Sequence, residues 1–213
     1  MDMCTTSSTD LRMTIAMWVA MSVIMMLPSA LPMISAFGRI TRQINSGHPR
    51  VALMALFVSM YFAVWSVFGL TAGAVEWTWS GAHLIHNGQL QSGYLAGGLL
   101  IVSGIYQFSA IKNLCLSQCR SPLSFLLENY RSDYGGAMRI GGLHGLFCLG
   151  CCWALMLLAW VGGAMNLLWM LALTILVSAE KVLGTGRFLK TVSGVALLAC
   201  GFAEIGATYV GMS

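Results

Sequence analysis

The stretch IGGLHGLFCLGCCWALMLLAWVG, residues 140–162, decides the class of fold. It contains no Asp, Glu, Lys or Arg from end to end. Its length matches the roughly 20 apolar residues that cross the hydrocarbon core of a bilayer, so it reads as a spanning helix. On a helix, residues three or four apart share a face. His144, Cys148, Cys151 and Cys152 therefore line one stripe, and Met156 extends it by a turn. An imidazole, three thiols and a thioether in a row form a ladder of soft-metal donors. One straight helix cannot close a coordination shell, because its side chains diverge, so a second helix must contribute ligands. Gly141, Gly142, Gly145 and Gly150 give that helix room to approach. Cysteine also serves as a small apolar packing residue. Cys148, Cys151 and Cys152 crowd together one turn from an ionisable group inside a span, which favours a site over packing.

Working outward, the rest of the chain has the same character. Of its 213 residues 58% are hydrophobic and only 8% are charged, against roughly 25% charged in soluble domains. That excludes a soluble globular protein and a disordered chain alike. Five further segments are apolar enough, or nearly so, to span: 11–37, 51–75, 93–110, 165–179 and 191–210. The expected fold is thus all-α, a polytopic transmembrane bundle of about six spanning helices forming a single domain over residues 1–213. Pro28 and Pro32 predict a kink in the first span. No Ala-x-Ala site follows a basic segment, so the first span reads as retained rather than cleaved.

Ten of the eleven basic residues fall in alternate connections: Arg39, Arg42 and Arg50; Lys112, Arg120, Arg131 and Arg139; Lys181, Arg187 and Lys190. The positive-inside rule makes those connections cytoplasmic and both termini extracytoplasmic. Asp2, Cys4, Asp10, Glu76, His83 and His86 then fall on the outer side, with Arg12 as the basic exception. Read this way, the net charge of +4 describes orientation and not nucleic-acid binding. The setting expected is a bacterial inner membrane.

The cytoplasmic connection 111–139 carries KNLCLSQCRSP, residues 112–122. On a helix continuing past the bilayer, Cys115 and Cys119 share a face and Pro122 ends it. Lys112 and Arg120 beside them would favour thiolate, and a reducing cytosol disfavours a disulfide. In the first span Met17, Met21 and Met25 recur at four-residue steps, followed by Met26. Such a stripe is commonly packing, and its nearness to the proline pair makes Met21 and Met25 candidate ligands. His83 and His86 read as a solvated outer pair, Glu180-Lys181 as a surface ion pair, and Glu204 as a carboxylate turned to a partner or wet cavity. Tyr106 and Gln107 are candidate supports. No phosphate loop, dinucleotide fingerprint or Ser-His-Asp set is present.

Several of these stretches together resemble one family. They are MSVIMMLPSALP from Met21, Tyr106-Gln107, CLSQCRSPL from Cys115, Gly145 to Met156, MNLLWM from Met165, and Glu180-Lys181. They are similar to the predicted metal-binding integral membrane proteins catalogued as domain of unknown function 2182. The resemblance runs over roughly residues 15–185 and leaves out His83 and His86. It implies metal binding and leaves the activity open.

The metal expected is copper(I), because thiolate and thioether suit it and the spans lack the hard oxygen ligands of Mg or Ca. The candidate ligands are His144, Cys148, Cys151, Cys152, Met156, Met21, Met25, Cys115 and Cys119. The expected function is transport or delivery of copper(I). The alternative is a copper-dependent membrane oxidoreductase or a subunit of one, and less favoured is a thiol–disulfide membrane protein. The implied partners are the lipid bilayer, the metal ion, and a metalloprotein or second subunit.

Overall fold

The computed structural model describes residues 6–43, 49–86, 88–131, 133–183 and 186–211, with the side chains of 6–10 and 186–187 left aside. Asp2 and Cys4, and the side chains of Asp10 and Arg187, therefore lie outside the described residues. The described chain is helical apart from one small hairpin. The helices are α1 (Thr6–Gln43), α2 (Arg50–Gly81), α3 (Gly93–Gln107), α4 (Ala110–Arg120), α5 (Pro122–Asn129), α6 (Tyr134–Leu157), α7 (Ala159–Gly162), α8 (Leu167–Val182) and α9 (Gly186–Val210). Between α2 and α3, Ile85–His86 (β1) pairs antiparallel with Gln89–Leu90 (β2). Gly88 turns this hairpin at a φ of 73°, a conformation that costs glycine nothing. The Gly88 carbonyl accepts from Ala164 N at 3.0 Å, which ties the hairpin to the turn after α7.

Among the described residues, four stretches are long and apolar enough to cross a membrane: Leu11–Gln43, Arg50–Gly81, Tyr134–Gly162 and Phe188–Val210. A fifth exists if α3 and α4, bent by 64° at their junction, count as one span. The expected sixth span, 165–179, is α8, whose 16 residues rise about 24 Å, short of a roughly 30 Å hydrocarbon core. The expected kink at Pro28 and Pro32 does not divide α1, which stays helical through both.

Small residues set which helices touch. A Cβ at Gly69 would stand 2.7 Å from Val19 Cα, and one at Gly73 2.9 Å from Ile15 Cα, so α1 lies directly on α2. Gly141 and Gly145 do the same for α6 on α2, where a Cβ at Gly145 would sit 3.0 Å from Val64 Cβ. A Cβ at Gly97 or at Gly201 would stand 2.9 Å from the other's carbonyl oxygen, so these two glycines join α3 to α9. Such close approach is the usual way apolar helices associate where no hydrophobic drive separates helix from lipid. The main neighbours of α1 are α2 and α8, while α6 lies against α2 and α4.

The connection 111–139 is built of two helices and the start of a third, and its Cys115 and Cys119 both lie on α4. Ser109 caps α4 by accepting from Lys112 N at 3.1 Å, which starts a new helix just after α3 ends. That helix folds back along α6. Asp133 caps α6, and Asn166 caps α8 by accepting from Leu168 N and Trp169 N at 3.1 and 3.2 Å.

Candidate metal centre

The stripe on α6 is buried: His144, Cys148, Cys151, Cys152 and Met156 are each 3% exposed or less. Two of its thiols satisfy themselves on the helix, since Cys151 Sγ and Cys152 Sγ both donate to the Cys148 carbonyl at 3.0 Å. Cys152 Sγ also lies 4.0 Å from Met26 Sδ on α1. Although α1 and α6 are not close backbone neighbours, their long side chains meet across the gap. Cys119 on α4 packs, partly buried, against the core that holds Cys148 and Cys151. Sulfur donors from α1, α4 and α6 thus converge.

The centre of this cluster is a cation that sequence reasoning misplaced. Lys181, at the end of α8, is 6% exposed. Its Nζ lies 2.9 Å from Cys148 Sγ, 3.3 Å from Ser29 Oγ, 3.7 Å from Cys152 Sγ and 3.8 Å from Met26 Sδ. Tyr61 of α2 brings its hydroxyl to 3.0 Å from the same Cys148 sulfur. A buried ammonium is costly unless a negative partner stands beside it. Here the groups at hand that can carry negative charge are thiols. Cys148 as thiolate, accepting from Lys181 Nζ and Tyr61 OH together, meets that need.

Glu180 and Lys181 do not form the expected surface pair. Successive helical residues point about 100° apart, and these two enter different environments. Glu180 Oε2 pairs with Lys112 Nζ at 2.7 Å, both side chains buried. Glu180 Oε1 accepts from Gln107 Nε2 at 2.9 Å and from Ser193 Oγ at 3.0 Å. Arg120 clamps the end of α8 by donating to the carbonyls of Glu180 and Leu183 at 3.0 and 2.6 Å. Lys112 and Arg120 are therefore engaged with α8 and do not serve the thiols of Cys115 and Cys119 as expected. Lys112, Lys181 and Lys190, used above to orient the chain, are all buried, at 1%, 6% and 8% exposure. Tyr106 donates to the Gly150 carbonyl, so Tyr106 and Gln107 both act in supports.

The remaining candidates separate from the sulfur cluster to different degrees. His144 stacks on Tyr61 with centroids 5.3 Å apart and is flanked by Phe57 and Phe125, and neither ring nitrogen has a hydrogen-bond partner among the described residues. It sits beside the cluster through Tyr61. Cys115 packs against Gly150, where a Cβ would stand 2.7 Å from its sulfur. Met25 is buried and Met21 half-buried in the same core as the cysteines, as is Met156. His83, in a left-handed turn, and His86, on β1, are exposed. Glu204 is exposed on α9 and not turned into the bundle. Cys200 is exposed on the same helix. Among the described residues, no three His, Cys, Asp or Glu side chains form a ready-made metal shell. A shell here would have to draw on thioether sulfur as well.

Beyond Met156, a second buried acidic side chain stands where α2 meets α1 and α7. Glu76, read as an outer charge, is 4% exposed and its Oε2 accepts from Trp18 Nε1 at 2.6 Å and Trp160 Nε1 at 3.0 Å. This carboxylate locks α1, α2 and α7 together.

Sequence reasoning missed Met26, Lys181 and Tyr61. Met26 follows Met25 and falls off the four-residue stripe. Lys181 has the position of an interfacial charge. Tyr61 has only its polar tip, within an apolar span, as a signal.

Residues 15–203 match the family PpoB2, described as copper chaperone. No curated protein and no solved structure matches the chain.

Proposed function

We propose, on the premise that this chain belongs to the PpoB2 family of copper chaperones, that it takes Cu(I) onto Cys148, Cys152 and Met26 and delivers it to a copper protein. The observation that carries this reading is the convergence on Lys181: two thiol sulfurs and a thioether, from two helices, lie within 4 Å of one buried ammonium. Soft sulfur donors select Cu(I) over the hard divalent ions. Two thiolates holding one Cu(I) carry a net negative charge, and Lys181 cancels it in a low-dielectric setting where an uncompensated charge is costly. Cys119 and Cys151 stand close enough to act as receiving donors when the ion moves. His144, with both ring nitrogens unpartnered one turn away, is a further donor in reserve. The four long apolar helices support placement of the bundle in a membrane, the inner membrane of a bacterium in this reading.

The test is Cu(I) binding to the purified full chain, read by X-ray absorption and by competition with a Cu(I) chelator. Wild type is expected to show a sulfur-dominated first shell. Cys148→Ser is expected to lose about 100-fold or more in affinity, beyond the 10–100-fold typical of outer-shell changes. Retention of wild-type affinity, or a shell of oxygen and nitrogen alone, overturns the reading.

A second reading has one observation in its favour. Cys119 packs against the core that holds Cys148 and Cys151, and a thiol–disulfide protein needs thiols from separate helices to meet. Mass spectrometry of the oxidised chain separates the two: a reversible Cys119 disulfide in a protein that binds no copper would favour exchange chemistry.

A further inference from the structure

We propose that Met13, Met17 and Met165 form a loading site for Cu(I), from which the methionines of α1 lead to the buried sulfur cluster. The proposal deepens the chaperone reading and rests on it for the ion's destination. A cavity of about 420 Å³ opens at the N-terminal end of α1, lined by Met13, Thr14, Met17 and Met165. Among the described residues that line it, three are thioethers, drawn from two distant parts of the chain. Met13 and Met165 are 69% and 65% exposed, so filling a core explains neither.

Met13, Met17, Met21 and Met25 follow one another at four-residue steps, on one face of α1 and about 6 Å apart along its axis. Their burial deepens in the same order. Met13 is open, Met17 and Met21 are half-buried against the core, and Met25 is 5% exposed. Met26 follows at 0%, with its sulfur 4.0 Å from Cys152. Conduction needs sites strong enough to admit an ion and weak enough to release it. Neutral thioethers are such sites for Cu(I) and offer little to Zn(II), Mg or Ca. The path then ends on thiolate, the stronger ligand, so the ion is drawn inward without any change of redox state.

The experiment uses the full chain in lipid nanodiscs and Cu(I) presented by a chelator. Its first arm follows the rate at which the sulfur cluster fills. Met13→Leu with Met165→Leu conserves volume at two exposed positions, so folding is preserved. Loading is expected to slow by about tenfold, the lower end of what a lost supporting metal contact costs. The second arm uses Cys148→Ser with Cys152→Ser and looks for weaker Cu(I) held by thioether sulfur alone. That copper is expected to vanish when the two Met→Leu changes are added.

A cluster that fills at the wild-type rate in the Met→Leu chain overturns the loading site and leaves the chaperone reading intact. A thioether-only site that survives while the cysteine changes leave total binding untouched supports the loading site and counts against the chaperone reading.

Discussion

Glu180 and Lys181 are adjacent, are 2% and 6% exposed, and meet opposite surroundings. Glu180 is saturated: a lysine on one oxygen, an amide and a hydroxyl on the other. It joins α8 to α3, α4 and α9, and nothing about it waits for a ligand. Lys181 has sulfur and hydroxyl neighbours and, among the described residues, no carboxylate within salt-bridge distance. A charge closed by its opposite is architecture. A charge whose counter-ions are ionisable thiols is a candidate site, because thiols can exchange a proton for a metal. The Glu76 carboxylate, held by two indole N–H groups, belongs with Glu180 as a structural anchor.

The largest effect expected from this contrast is on stability. Glu180→Gln strands Lys112 at 1% exposure without its counter-charge. Breaking one partner of a buried pair costs about 3–5 kcal/mol. Thermal unfolding in detergent should show a large drop, while whatever remains folded keeps its sulfur cluster. A near wild-type midpoint would mean that the Lys112–Glu180 pair is not closed in the way described.

Next in size is Lys181→Met, where the loss is expected in copper binding rather than in folding. Without the ammonium, Cys148 can rest as a neutral thiol, so no charge is stranded and stability should shift by about 1 kcal/mol or less. The loaded site, by contrast, keeps a net negative charge with nothing to cancel it. Cu(I) affinity should fall by about 10–100-fold, as for other groups supporting a metal shell, and Lys181→Arg should recover part of it. If Lys181→Met instead unfolds the protein and leaves affinity unchanged, Lys181 is a second structural ion and the contrast fails.

The sequence makes one half of this contrast legible and hides the other. The apolar run 140–162 and the spacing of His144, Cys148 and Cys152 need only helical periodicity, and the structure places them on one buried stripe. Hydropathy likewise locates α1, α2 and α9. It fails where charge is consumed inside the bundle. Lys112, Lys181 and Lys190 have the sequence signature of residues flanking a bilayer, since each follows or precedes an apolar run. Only the folding-back of α4 along α6 reveals that Lys112 faces Glu180. That fold depends on Ser109 restarting a helix immediately after α3, a local capping event with no periodic signal. The same event turns Cys119 from a thiol beyond the bilayer into one packed against the core that holds Cys148. Met26 was hidden for a different reason. It is one residue off the four-step stripe, about 100° round the helix, and only the position of Cys152 on another helix makes that direction the useful one.

The smallest effect, and the sharpest test of how the sulfur is held, is Tyr61→Phe. The ring stacks on His144 at 5.3 Å and the hydroxyl lies 3.0 Å from Cys148 Sγ. Phenylalanine keeps the ring, the volume and the stack, and deletes only the hydroxyl. The sulfur then retains Lys181 Nζ at 2.9 Å, so one of its two polar partners remains. His144 cannot take over the lost contact without leaving its place between Phe57, Tyr61 and Phe125. A single hydrogen bond is worth about 0.5–1.5 kcal/mol, or roughly 2–10-fold in Cu(I) affinity. Chelator competition should place the variant there, between wild type and Lys181→Met. A loss as large as that of Lys181→Met would make the phenol, and not the ammonium, the group that governs Cys148. No loss at all would mean that the ammonium alone holds the sulfur in place, with Tyr61 serving to fill space beside His144.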